Sequence, residues 1–133
     1  MRYVGDASVL LGFVLADEHG ERADRLLEKL GDDPVCVPAL WRTEVLNGLI
    51  QAMRRGRLDA RGVDDGIAFF ERLSVQVDPA VPDMMAVRKL ADIHRLTAYD
   101  ATYLELAARE RLPLATNDAA LAKAARQQGV KVV

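Results

Sequence analysis

Tyr3-Val4-Gly5-Asp6-Ala7-Ser8-Val9-Leu10-Leu11 sets one carboxylate between two apolar runs. Tyr3–Gly5 is too short for a helix and reads as a buried strand. The apolar, helix-compatible stretch Ala7 to Leu15 predicts a helix directly behind it. Asp6 therefore sits where a strand hands over to a helix. The same alternation repeats outward along the chain. Glu21 to Leu30 is helical, with Ala23, Leu26, Leu27 and Leu30 on one face, and Gly31-Asp32-Asp33-Pro34 breaks it. Val35–Val37 is a second strand. Ala39 to Arg55 is a long helix carrying Trp41, Val45, Leu46, Leu49, Ile50 and Met53, with Gly56 as its stop. A helix from Asp59 or Ala60 to Leu73 and a strand at Val75–Val77 follow. Pro82-Asp83 opens a helix to about His94, and Thr97 starts another through Arg111. Leu114-Ala115 is a very short strand, Asp118 to Gln128 a helix, and Val130–Val133 a last strand. Strands alternating with helices predict an α/β fold with a parallel sheet covered on both faces.

The chain has 133 residues, the size of one domain, so residues 1–133 are expected to form a single unit. Half of them are apolar and 29% charged, an ordinary globular balance that needs no disulfide or structural metal for folding. No run is long and apolar enough to span a bilayer, so no membrane partner is expected. The first residues reach an acid at position six and predict no signal peptide. Cys36 is the only cysteine, which excludes an internal disulfide and fits a reducing, cytoplasmic setting. Between Val35 and Val37 it reads as a small buried hydrophobe. The net charge of −2 counts against a nucleic-acid binder, unless bound cations reverse the local field.

Four acids occupy informative positions. Asp6 reads as an N-cap, yet it is the only charge between Tyr3 and Leu15. Glu44 lies early in its helix among apolar neighbours, with Asn47 and Gly48 leaving room close to the helix. Asp100 completes Thr97-Ala98-Tyr99-Asp100, a capping box. Asp118 follows Leu114-Ala115-Thr116-Asn117, with Thr116 as the expected N-cap. Capping alone explains each one taken singly. Together, Asp6, Asp100 and Asp118 lie at helix N-termini, and in a parallel sheet such positions converge on the carboxyl edge. Carboxylates with water are the ligands that Mg²⁺ or Mn²⁺ prefers. His19 and His94 stand alone and read as surface residues.

The segments Gly5–Leu11, Pro38–Leu49, Leu96–Ala107 and Leu112–Asp118 resemble PIN-domain proteins. More narrowly, they resemble the VapC toxins of VapBC toxin–antitoxin modules, in order and spacing over nearly the whole chain. The resemblance implies a three-layer α/β/α sandwich with a central parallel sheet. It implies an acidic pocket for Mg²⁺ or Mn²⁺ and endonuclease activity on RNA. Asp6, Glu44, Asp100 and Asp118 fall on the family's four acidic positions, and Thr116 on its small hydroxyl position. Asp6 and Asp100 are expected to bind metal directly. Glu44 and Asp118 are expected to ligate metal or hold its waters. Ser8, Thr116 and Asn117 are candidates to support them, and Arg42, two residues from Glu44, is a candidate RNA contact. The family expectation also includes a homodimer and a VapB-type antitoxin. Val9–Val14 and Leu46–Met53 are either its groove or plain core.

Other readings share part of this pattern. A doubly wound phosphohydrolase would use Asp6 as nucleophile, but haloacid-dehalogenase-like enzymes carry a second Asp where this chain has Ser8. A receiver domain would want paired acids near the first strand and a later Lys, neither of which is found. A PIN fold could also act as a silent binding module, or as the nuclease of a FitB-like complex whose antitoxin-type partner also binds DNA.

Overall fold

The computed structural model describes residues 1–133. Its elements, in chain order, are β1 (Val4–Gly5), α1 (Ala7–Gly12), α2 (Glu21–Leu30), β2 (Val35–Val37), α3 (Trp41–Arg54), α4 (Ala60–Arg72), β3 (Val75–Val77), α5 (Met84–His94), α6 (Ala98–Glu110), β4 (Leu114–Ala115) and α7 (Ala119–Gln127). The four strands form one parallel sheet in the order β3-β2-β1-β4.

Side chains alternate across a strand, and that alternation builds the three layers. Tyr3, Val35, Val37 and Ala115 point to one face, where they pack with Val9, Leu10, Leu26, Leu30, Val45, Leu49 and Phe70 from α1 to α4. Val4, Cys36 and Leu114 point to the other, against Tyr103, Leu104, Ala107, Leu121 and Ala125 from α6 and α7. Cys36 is buried there as a small hydrophobe. Both faces being covered explains why the strands read as short unbroken apolar runs. The result is the expected three-layer α/β/α sandwich.

Two elements depart from expectation. The first helix ends at Gly12 rather than Leu15, although Phe13 and Leu15 are buried. They reach the core from consecutive turns, with Glu18 N and His19 N both donating to Leu15 O. The apolar run reported burial, which a turn supplies as well as a helix does. The last strand contracts to one parallel bridge between Leu114 and Val132. Its partner β4 is two residues long and offers no longer ladder.

Chain order places the site. From β1 the chain moves to β2 on one side, and β4 is inserted on the other. The crevice between β1 and β4 at their carboxyl ends is thus the topological switch point. Asp6 follows β1 there, and Thr116, Asn117 and Asp118 follow β4.

Candidate metal centre

Asp6 is the anchor of the crevice. It is 3% exposed and caps α1, its Oδ1 accepting from Val9 N at 3.0 Å. The Ser8 hydroxyl donates to the same oxygen at 2.6 Å, and the Thr116 hydroxyl donates to Oδ2. Each hydroxyl has one proton, and both are directed at Asp6. A carboxylate offers about four acceptor positions, so three donors leave one open on the Oδ2 side.

The hydroxyls also tie β4 to β1. Ser8 Oγ accepts from Asn117 N at 2.9 Å, and Thr116 Oγ1 accepts from Asp118 N at 3.0 Å. Thr116 therefore touches Asp6 with its proton and the Asp118 backbone with its lone pair. It is not the N-cap of the last helix. That role falls to Asp118, whose Oδ1 accepts from Leu121 N at 2.9 Å. Asp118 is exposed, and its second oxygen is not used by the cap. At α6, Thr97 caps by accepting from Asp100 N at 3.1 Å. Only this half of the expected capping box forms, since the half-buried Asp100 carboxylate does not accept from Thr97 N, although the Thr97 hydroxyl lies near it.

Glu44 lies in the first turn of α3 with Oε1 buried and without a hydrogen-bond partner. The Tyr103 hydroxyl lies against this carboxyl, and it too completes no hydrogen bond. The space beside Gly48 is taken by Leu11 of α1, whose Cδ1 would stand 2.3 Å from a Cβ built there. A buried acceptor with no donor is costly, and native structures supply it with a water or a cation.

The four acids act on one another. Burial pushes the Asp6 carboxyl above the usual carboxylate range, against the Ser8, Thr116 and Val9 donors, and the charge of Asp118 adds to the rise. Burial also raises Glu44, with Asp100 and Asp6 adding to it and Tyr103 opposing. Asp100 is raised by burial, then by Asp118 and Asp6, with Thr97 opposing. Burial and the neighbouring Glu44 drive the Tyr103 phenol strongly upward. Asp6 thus feels Asp118, Glu44 feels Asp100 and Asp6, and Asp100 feels Asp118 and Asp6.

Nowhere in the chain do three or more His, Cys, Asp or Glu side chains stand close enough together to hold a metal ion between them. The donor chemistry nevertheless suits a hard cation that keeps several waters, because every candidate donor is a carboxylate and one of them is orphaned. Neither histidine takes part. His19 bonds Phe13 O and Asp24, and His94 bonds Gln127 and Gln128. Arg42 is not drawn to the acids either. It pairs with Glu71 at 2.6 Å and lies over the Trp41 ring, on the α3–α4 side. A residue two positions from Glu44 points to the far side of a helix.

Two residues near the site gave no sequence signal that was used. Arg22 of α2 donates to Asn117 Oδ1 and to Thr116 O, across a separation of more than ninety residues. Nothing local distinguishes it from a solvated arginine. Tyr103 was findable, since it stands one helical turn after Asp100 on an element expected to pack on the sheet.

Known proteins share this fold. The family description "PIN domain" matches residues 3–127. No curated protein sequence matches the chain. Among solved structures, PAE2754 from Pyrobaculum aerophilum is similar at 25% identity and a TM-score of 0.70, covering 100% of this chain and 92% of that one. FitAcB from Neisseria gonorrhoeae shares the fold at 19% identity and a TM-score of 0.68, covering 99% of this chain and 96% of that one. With the matched region spanning nearly its whole length, the chain belongs to the PIN domain family, whose members are in general nucleases.

Proposed function

We propose that the chain is a Mg²⁺- or Mn²⁺-dependent endoribonuclease, acting as the toxin of a VapBC-type toxin–antitoxin pair, with Asp6, Glu44, Asp100 and Asp118 as its site. The observation that carries this reading is four carboxylates at or near helix N-termini of a PIN fold, Asp6 and Asp118 at its switch point and Glu44 with an unpartnered buried oxygen. A divalent cation held by these carboxylates would offset charge on the phosphoryl oxygens and would make a water easier to deprotonate into a nucleophile.

The chain's own residues perform the rest. Asp6 is fixed by three donors, so its open acceptor position is preset and loses little freedom on binding. Asp100 presents a carboxylate free of its helix cap. Glu44 and Asp118 hold waters or ligate directly, and Glu44, whose carboxyl is raised by burial, is the candidate to accept a proton from such a water. Ser8, Thr116 and Asn117 lock β4 against Asp6 and thereby set the distance between the acids.

The partner assignments rest on apolar surface. Leu46, Met53 and Ile67 remain exposed on α3 and α4, an apolar strip suited to a VapB-type antitoxin. Val9 and Leu10, by contrast, are core. Val81, Met84, Met85, Ile93 and Tyr99 are exposed around α5 and the start of α6, which suits a homodimer contact. A FitB-like complex would use the same site. In either case a neighbouring reading frame encoding a small DNA-binding protein is expected. No helix is long and apolar enough to cross a membrane.

The test is cleavage of a labelled pool of cellular RNA by purified, antitoxin-free protein with Mn²⁺, with EDTA, and with Asp100→Asn. Cutting that needs both the metal and Asp100 supports the nuclease. No cutting by folded, metal-loaded protein over a broad pool would shift the reading to a silent docking module.

A further inference from the structure

We propose that a cationic groove beside the acids holds the RNA phosphates flanking the one to be cut, with Arg22 and Arg55 as the groups that face them; the proposal rests on the nuclease reading above. The groove has a volume of about 620 Å³, within the range of ligand clefts, roughly 300–1,000 Å³. It begins at the site itself, because Ser8 and Asn117 line it and also fasten β4 to Asp6. It continues along α3. Glu44, Gly48, Gln51 and Arg55 are spaced four, three and four apart and so share one face of that helix. At 1.5 Å rise per residue, Arg55 stands ~16 Å along the axis from Glu44. That is too far to serve the scissile phosphate and suits one further along the strand.

The arginines differ in whether their charge is available. Arg57 also lines the groove, but it holds Asp17 at 2.8 and 2.9 Å and Glu18 at 2.8 Å, so its charge is balanced. Arg22 is anchored by no Asp or Glu side chain. Its Nε donates to Asn117 Oδ1 at 2.7 Å, and its Nη2 to Thr116 O at 2.8 Å and Val133 O at 2.9 Å. Its Nη1 hydrogens have no partner in the protein. An arginine held through Nε and Nη2 with its other edge free is preorganised for a phosphate oxygen. Arg55 is exposed and makes neither an ion pair nor a hydrogen bond through its side chain. In a chain of net charge −2, whose site is itself acidic, a polyanion needs such a local cationic wall to approach.

The experiment reads polarisation of a fluorescein-labelled single-stranded RNA of about 12 nucleotides, in EDTA, across roughly 50 to 200 mM salt. Wild type is compared with Arg55→Ala, Arg22→Gln and, as control, Arg72→Ala. Arg72 lies with Gly31 and Ser74 at the opposite, amino end of the strands. Arg55→Ala is expected to weaken binding about three- to tenfold and to lower the log–log salt slope by about 0.7, the value of one lost phosphate contact on a single strand. Arg22→Gln behaves likewise, while Arg72→Ala matches wild type. Arg55 bonds to nothing, so its variant keeps the test valid if Arg22→Gln fails to fold. With Mn²⁺ present, Arg55→Ala raises KM for the same RNA and leaves kcat within about twofold. Wild-type affinity and slope in Arg55→Ala overturn the groove, even if wild type cuts RNA. Loss of affinity and slope in a protein that cuts no RNA upholds the groove and refutes the nuclease.

Discussion

Thr116→Val removes one hydroxyl from the centre of the site at nearly constant volume, and its effect follows from the hydrogen bonds. Asp6 is 3% exposed, and its Oδ2 receives Thr116 as its only donor in the protein. A hydrogen bond to a charged group contributes about 1.5–3 kcal/mol. The Asp118 N–H loses its acceptor too, but Asp118 is exposed and water replaces that bond. The expected cost is therefore about 1.5–3 kcal/mol near neutral pH, or a Tm lower by about 5–12 °C for a chain of this size. Its pH dependence has a definite sign. The Thr116 donor favours ionised Asp6, so removing it lifts the Asp6 carboxyl further above its already raised position. The cost is full while Asp6 is ionised and shrinks as pH falls through its folded pKa. Thermal unfolding followed by circular dichroism in EDTA, at neutral and mildly acidic pH, measures both. A cost below about 0.5 kcal/mol, or one equal at the two pH values, would refute the reasoning.

Asp6, Glu44 and Asp100 all have raised folded pKa values, so each favours folding while protonated, and that contribution is lost as pH rises through the folded values. The metal-free protein should lose stability from mildly acidic to neutral pH. Mn²⁺ at a hundredfold excess over its Kd should restore about 2.7 kcal/mol there, read as a thermal shift. Tyr103→Phe removes the buried hydroxyl that lies against the Glu44 carboxyl and opposes its rise, so the acid limb of the cleavage pH profile should move upward, with stability changed by less than about 1 kcal/mol. Arg109→Ala leaves Asp78 and Glu105, at 12% and 14% side-chain exposure, without their partner and should cost about 1–2 kcal/mol in urea unfolding with cleavage unchanged.

Strand-to-helix alternation was legible because each face of the sheet is buried, so Tyr3–Gly5 and Val35–Val37 had to be apolar throughout. The helix cap at Asp6 was equally readable, since capping is a local act, whereas at the last helix Asp118 and not Thr116 is the cap. The end of α1 was not readable, because burial at Phe13 and Leu15 does not distinguish a turn from a helix. The four acids were legible as helix-terminal positions and through the family resemblance. Their mutual arrangement was not, because it depends on Thr116 and Ser8 bridging β1 to β4 over more than one hundred residues of sequence. Arg22 is the extreme case, since its role exists only through Asn117 and Thr116. Arg42 was misplaced by sequence proximity, which on a helix puts residues two apart on different sides.

The central claim is that these four carboxylates form one cation site, and titration of Mn²⁺ followed by electron paramagnetic resonance of the free ion tests it most directly. Wild type and Asp92→Asn, a distant surface acid paired with Arg88, should take up Mn²⁺ alike, while Asp6→Asn and Asp100→Asn should each lose at least about tenfold in affinity. Equal uptake by wild type and the folded Asp6→Asn and Asp100→Asn proteins would contradict the account and leave the acids as helix caps.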